Sequence, residues 1–454
     1  MSVTALVLGG GGSRGAYEIG VWRALRQRNE DFSVVTGTSV GALNGAIIAQ
    51  DDYDLAVDIW SSITTEMILS IDAAPGDRTL RERLSRFGLF AREIAANHGA
   101  DSTPLRTLLY RVLDEEKIRA SKLRFGLVTV KLPELSPRAL FADEIPQGDL
   151  IDYILASAAC FPAMQKQVIG DASYIDGGYF DNLPIDLAAR GGADRMLAVD
   201  VHGVGVYRRP ENVDQSRIHL ISTAWNLGSI LLFDAESARR NIELGYLDTR
   251  KSFGELDGRL YAFEKGGAAD LRPSTDRLHA AFDRLFPTAR RGAIGRYDLL
   301  RLRALRFLKN LYRGMEAPLS LKTGRSVADE AVLHLAAAEN AARVFDVSPT
   351  KIYAPHELED AVCAAYHGTE LPDPSRLEAI LAEAATAPER AERLLGEVES
   401  LTPARTARYI GEVLSRPAPS QAFLTAAATA LPSEFLAALY ARTLLSPESG
   451  ALSC

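Results

Sequence analysis

Thr4-Ala5-Leu6-Val7-Leu8-Gly9-Gly10-Gly11-Gly12-Ser13-Arg14-Gly15 opens the chain, and Phe32-Ser33-Val34-Val35-Thr36-Gly37-Thr38-Ser39-Val40-Gly41 comes soon after it. Each stretch begins as a short apolar strand and runs straight into glycine. After the first, residues 17–26 place Ile19, Val21, Trp22 and Leu25 at helical spacing. After the second, residues 42–49 form an apolar run that reads as a buried helix. Strand, tight turn and helix, twice within the first fifty residues, predict an α/β fold with a mostly parallel sheet and crossover helices.

The same alternation continues outward. Residues 51–121 read as a mostly helical insertion sized to cover a site, with Ser102-Thr103-Pro104 as a capped helix start. Residues 125–130 and 196–201 read as further strands, and a shorter one ends at Ile175-Asp176-Gly177-Gly178. Around residues 264–274 the texture changes. Lys265-Gly266-Gly267-Ala268-Ala269 resembles a joint, and the residues beyond it are rich in Ala, Leu, Arg and Glu at helical period. The organisation expected is an α/β domain over 1–265 and a separate all-α region over 270–454.

Composition removes several function classes. The chain has 454 residues, 47% of them hydrophobic and 24% charged, which is a globular balance. A net charge of -8 argues against a general nucleic-acid binder. Cys160, Cys363 and Cys454 are far apart and odd in number, so they offer neither a disulfide framework nor a metal-ligand spacing. The N-terminus lacks the basic region and cleavage site of a signal peptide, and no segment reaches the roughly 18 apolar residues of a membrane span. The location expected is cytoplasmic, with any membrane contact peripheral.

Three motifs carry chemistry. Gly37-Thr38-Ser39-Val40-Gly41 fits G-x-S-x-G between a strand and a helix, the arrangement that lifts a serine oxygen out of a sheet. The flanking glycines Gly37 and Gly41 let backbone pass without side-chain clash, and the helix N-terminus favours negative charge beside Ser39. Gly9 to Gly15 leave backbone N–H groups uncovered for an anion or oxyanion. Through Gly10, Gly12 and Gly15 they also satisfy the dinucleotide-binding G-x-G-x-x-G, but that site wants an acidic residue at the end of the next strand. The chain instead has Gly37-Thr38-Ser39 there, and Asp31 lies at the strand's beginning. The third motif is Asp176-Gly177-Gly178, with Asn182-Leu183-Pro184 close behind; taken alone it is an ordinary turn.

In this order and spacing the three resemble the patatin-like phospholipase family, in a bacterial type with an extra C-terminal helical region. Ala156 to Pro162 and Ala193 to Val201 resemble the segments flanking the family's D-G-G strand. The resemblance covers roughly residues 4–250. It implies a three-layer α/β/α domain, Ser39 as nucleophile and Asp176 as its base. It also implies an oxyanion hole from the N–H groups of Gly10, Gly11 and Gly12, with Gly15, Gly177 and Gly178 in support, and neither metal nor cofactor. Arg14 either buttresses the loop, meets an anionic head group, or is a solvated loop arginine. The activity implied is phospholipase A or lysophospholipase chemistry through an acyl-enzyme. A partner-activated or scaffolding protein, an acyltransferase and a general esterase are the alternatives. A Ser-Asp-His order through His202 is the minor alternative to the dyad, against a strand-end role for that residue. Asp200 reads as structural, Cys160 as packed, and Trp22 and Trp60 as core.

From Arg284 to Arg325 eleven Arg or Lys stand against Asp298 and Glu316, with Tyr297, Leu300, Ala304, Phe307, Leu308 and Leu311 at helical spacing. A bundle helix with solvated arginines is the favoured reading, and a basic helix lying on an anionic bilayer the alternative.

Overall fold

The computed structural model describes residues 3–70, 99–211, 213–286, 307, 330–375, 377–379, 401–417 and 419–445. Most of the basic stretch 284–325, and Cys454, lie outside the described residues. The chain divides into two compact units, essentially 1–253 and 254–454, so the boundary precedes the glycine-rich joint at 265–269.

The first unit begins β1 (Thr4–Leu8), α1 (Ala16–Gln27), β2 (Val34–Thr38), α2 (Val40–Ala49) and α3 (Tyr53–Ser62). The described helices of the 51–121 segment continue with α4 (Thr103–Val112) and α5 (Glu115–Ala120). Then come β3 (Arg124–Leu132), β4 (Ser136–Phe141), α6 (Leu150–Ser157), β5 (Gln167–Ile169) and β6 (Ala172–Asp176). The unit ends with α7 (Ile185–Arg190), β7 (Arg195–Asp200), β8 (Ile218–Ser222) and α8 (Ala235–Ser252).

Spatially the strands run β5-β6-β3-β2-β1-β7-β8, with β4 also on β3. β3, β2, β1, β7 and β8 pair in parallel, and β4, β5 and β6 form an antiparallel edge. The central strands are buried on both faces, which is why they read as continuous apolar runs. Alternation along β1 fills two cores. Leu6 and Leu8 pack with α1 and α2, whereas Ala5 and Val7 pack with Leu183, Ile185 and Leu187 at α7. The result is α/β/α layering. Every residue of α2 but Leu43 is buried, as its lack of a polar face requires.

Register on β3 sets up the site. Thr38 on β2 lies opposite Val128, and Asp176 on β6 lies opposite Thr129. The ends of β2 and β6 therefore emerge at the same height on either side of one strand.

The second unit is helical, with β9 (Leu256–Asp257), β10 (Ala262–Glu264) and β11 (Ile352–Tyr353) in a small sheet of their own. Its helices among the described residues are α9 (Arg272–Leu285), α10 (Glu330–Val344), α11 (Pro355–Gly368), α12 (Pro403–Leu414), α13 (Gln421–Ala430) and α14 (Pro432–Leu444). α9, α10 and α12 pack on α14, where Phe282, Phe286 and Phe435 meet at 5.0–6.3 Å between ring centres. The buried Glu339 carboxylate accepts the N–H groups of Arg259, Leu260 and Tyr261 at 2.8–3.0 Å, which fixes residues 254–264 to these helices. Among the described residues no single helix is long and apolar enough to cross a membrane; α13 and α14 reach that length only as a pair bent by 119°.

Candidate active site

Ser39 stands between β2 and α2 with φ 55° and ψ -126°, a strained turn for a non-glycine residue. Backbone crowding explains the glycines beside it. A Cβ on Gly37 would lie 2.1 Å from the Gly41 carbonyl oxygen, and one on Gly41 would lie 2.4 Å from that of Leu8. The Ser39 N–H donates to Ser157 Oγ at 3.0 Å, and that hydroxyl donates to the Val128 carbonyl at 2.6 Å. Ser157 is fully buried at the end of α6, so the turn is tied to that helix and, through it, to β3.

Asp176 is buried at the end of β6. Its Oδ1 accepts the Gly178 N–H at 2.7 Å, and its own N–H donates to the Ala159 carbonyl at 2.9 Å. Burial pushes its carboxyl up to about 6, against hydrogen bonding from Gly178 and from the Ser39 side chain. Gly177 has no room for a side chain, since its Cβ would meet the Val128 oxygen at 2.2 Å. Gly178 supplies the N–H on Asp176.

The glycine loop differs from expectation at one residue. Gly10 donates its N–H to the Asn182 carbonyl at 3.0 Å, so it is committed to the fold. Gly11 and Gly12 face the cavity beside Ser39, with no backbone acceptor on either N–H among the described residues. Gly12 has φ 57°, and a Cβ there would lie 2.1 Å from the Ile230 carbonyl oxygen. Gly15 abuts Val40, the residue after Ser39. Arg14 is a buttress: it donates to the carbonyls of Gly228 (2.9 Å) and His202, and burial lowers its pKa.

Two side chains that the motifs did not single out hold the parts together. Asn182 Nδ2 donates to the Gly10 carbonyl at 3.0 Å, so Asn182 grips that glycine from both sides. Ser157 is the other, through its bonds to Ser39 and Val128. Both lie within recognised segments, but neither spacing nor residue type told of a role.

His202 has its ring Nε2 2.8 Å from the Thr223 carbonyl and Nδ1 3.5 Å from Asp200, and it is not among the residues around Ser39. Asp200 is fully buried and accepts from the His202 N–H and the Tyr207 hydroxyl, as a structural carboxylate does. Cys160 lies at the cavity wall, and burial, then the charge of Asp176, raises its thiol to about 11. Trp22 is buried against Tyr53, whereas Trp60 lines the cavity and donates to Asn44 Oδ1 at 3.0 Å. Asn44 in turn donates to the Gly15 carbonyl and to Glu18, whose carboxyl burial raises far above its ordinary value.

Ser39, Asp176, Gly11 and Gly12 open into a cavity of about 390 Å³. One face of α2 (Val40, Leu43, Ile47) and one of α4 (Leu105, Leu108, Leu109, Val112) supply its walls, with Ile59 and Trp60 from α3 and Ile63 just after it. The walls are aliphatic and aromatic; polar groups gather at Ser39. Among the described residues, no cluster of three or more His, Cys, Asp or Glu is placed to hold a metal ion.

Residues 6–189 match the family model described as Patatin-like phospholipase. The chain carries a patatin-like domain. Over 203 residues it is 27% identical to patatin-like phospholipase domain-containing protein 7 of Rattus norvegicus, covering 43% of this chain and 13% of that protein. It is 29% identical over 201 residues to domain-containing protein 6 of Homo sapiens, with 43% and 13% covered. Lysophospholipase nte1 of Aspergillus terreus (strain NIH 2624 / FGSC A1156) is 26% identical over 204 residues, with 44% and 12% covered. The chain thus spans about an eighth of the length of these relatives. VipD from Legionella pneumophila aligns over 99% of this chain and 92% of its own at 13% identity and TM-score 0.34. The patatin-like domain ends inside the first unit and contains Ser39, Asp176 and the glycine loop.

Proposed function

We propose that the first unit hydrolyses carboxylic esters of lipids, phospholipid or lysophospholipid among them, with Ser39 as nucleophile and Asp176 as base. The observation that carries this reading is a strained serine and a buried carboxylate side by side at the polar end of an apolar cavity. Asp176 takes the Ser39 proton as Oγ attacks the acyl carbonyl. With the N–H groups of Gly10 and Ser39 already spent, Gly11 and Gly12 are the donors for the oxyanion. The N-terminus of α2 adds its dipole. Asp176 passes the proton to the leaving alkoxide, and an acyl-Ser39 ester forms. Water then attacks that ester as Asp176 accepts its proton, Asp176 returns that proton to the departing Ser39 oxygen, and the fatty acid leaves. A carboxyl near 6 is ionised at neutral pH yet more basic than an ordinary aspartate, which suits this exchange. The apolar walls fit an acyl chain, and the names of the fungal relatives point the same way.

Ser39→Ala and Asp176→Asn should each abolish fatty-acid release from phospholipid micelles, and a fluorophosphonate probe should label the peptide containing Ser39. Undiminished release in either variant, or labelling elsewhere, refutes the assignment.

A further inference from the structure

The residues lining the cavity are buried or half-buried with four exceptions: Tyr179, Val204, Gly205 and Val206 are exposed. These four therefore form its mouth. Val204 is 84% exposed and Val206 49%, which sets two apolar side chains together at the rim of the apolar cavity. The segment Gly203-Val204-Gly205-Val206 carries no charge and leads to Arg209, which is exposed and has no ion pair among the described residues. Its backbone is fixed at both ends of the site. A Cβ on Gly203 would lie 1.8 Å from the Gly10 oxygen, the Val206 N–H donates to Gly178, and the Val206 carbonyl accepts from Asn182.

We infer that the loop 203–206 is the surface by which this protein docks on a phospholipid bilayer. Val204 and Val206 enter the acyl boundary and Arg209 meets anionic head groups. The inference rests on the lipid-hydrolase reading, because a lipid leaving its bilayer through this mouth would keep its acyl chain in apolar surroundings throughout. An acyl chain crossing water instead loses the burial of each of its methylenes. A tip of two valines and one arginine gives weak, reversible binding of the kind an interfacial enzyme needs.

The test uses the full chain and vesicles of equal parts ether-linked phosphatidylcholine and phosphatidylglycerol, which bind without being hydrolysed. Cosedimentation should fall about tenfold in Val204→Asp and less in Arg209→Gln, whose loss should disappear on phosphatidylcholine alone. Leu135→Asp, an exposed apolar position that does not line the cavity, should bind as the wild type does. On ester-linked vesicles the rate of Val204→Asp should fall more than its rate on a water-soluble short-chain ester. Wild-type protein that ignores vesicles, or an unchanged Val204→Asp, overturns the inference. So does an equal loss in Leu135→Asp, or a dimer that Val204→Asp dissolves, which would make the tip a contact between copies. Vesicle binding through Val204 with no hydrolysis of either ester would instead refute the hydrolase reading and leave docking standing.

Discussion

Asp176→Asn should stabilise the protein while abolishing its activity. Burial raises the Asp176 carboxyl from the ordinary 3.8 to about 6. That displacement means the folded state holds the ionised carboxylate at a cost of about 3 kcal/mol relative to the unfolded chain. The upward direction of the shift sets the sign. Below pH 4 the group is protonated in both states and the cost vanishes; above pH 6 it is ionised in both and the cost is complete. Asparagine is never ionised, so its advantage should grow between those two values and level off. Its Oδ1 can still accept the Gly178 N–H now held at 2.7 Å, and its amide can donate to the Ser39 oxygen. The gain should therefore approach, without exceeding, about 3 kcal/mol at pH 8. Trp22, Trp60 and Trp225 all lie in the first unit, so urea unfolding monitored by tryptophan fluorescence reports on the unit that contains the site. Midpoints for variant and wild type should separate at pH 8 and converge at pH 4. A variant less stable at pH 8, or a gain independent of pH, would refute the claim that Asp176 is an ionised carboxylate held in an apolar setting.

The same ionisation should appear in kcat/KM on a soluble ester, which should fall as pH drops through about 6 and stay level above it; a midpoint near 4 would contradict the burial. Gly12→Ala forces a Cβ to 2.1 Å from the Ile230 oxygen at φ 57° and should displace one oxyanion donor. The expected loss is roughly 10²–10³ in kcat with circular dichroism unchanged, and retained activity would exclude Gly12 from that role. His202→Ala should keep kcat within about tenfold of wild type, since its ring is bound to the Thr223 carbonyl; a loss of roughly 10³ or more would move the general base there.

How much of the molecule was legible in the sequence depends on how local each signal is. β1, the glycine loop and α1 are consecutive, as are β2, Ser39 and α2, so apolar spacing and glycine placement sufficed. The antiparallel edge of β4, β5 and β6 was not legible beyond a short strand before Asp176, because its short strands alternate too briefly to declare a direction. The commitment of the Gly10 N–H was hidden for a related reason. Its acceptor is a backbone oxygen at residue 182, brought close only when the sheet is complete. Ser157, 118 residues from Ser39, bonds its backbone and leaves no pattern in its own neighbourhood. The small sheet of the second unit went unseen because β11 is two residues long.

The same long-range bonds explain how a strained serine is held against an aspartate from another strand direction. A turn with φ 55° at a non-glycine residue persists only where surrounding contacts over-determine it. Here three threonine hydroxyls do part of that work: Thr36 to the Pro184 carbonyl at 3.2 Å, Thr38 to Asp181 at 2.8 Å, and Thr129 to Ile175 at 2.8 Å. All three are fully buried, and all three reach residues within the stretch 175–184 that carries Asp176. Valine has nearly the threonine shape but no hydroxyl, so each replacement would leave a buried carbonyl without that donor, at roughly 1–3 kcal/mol. The strand ends beside Ser39 and the stretch bearing Asp176 are thus joined by buried polar bonds as well as by β3. Apolar packing alone tolerates small slides between neighbours, whereas a hydrogen bond of 2.8 Å does not. That difference is what the proposed proton transfer between Ser39 and Asp176 would require of the fold.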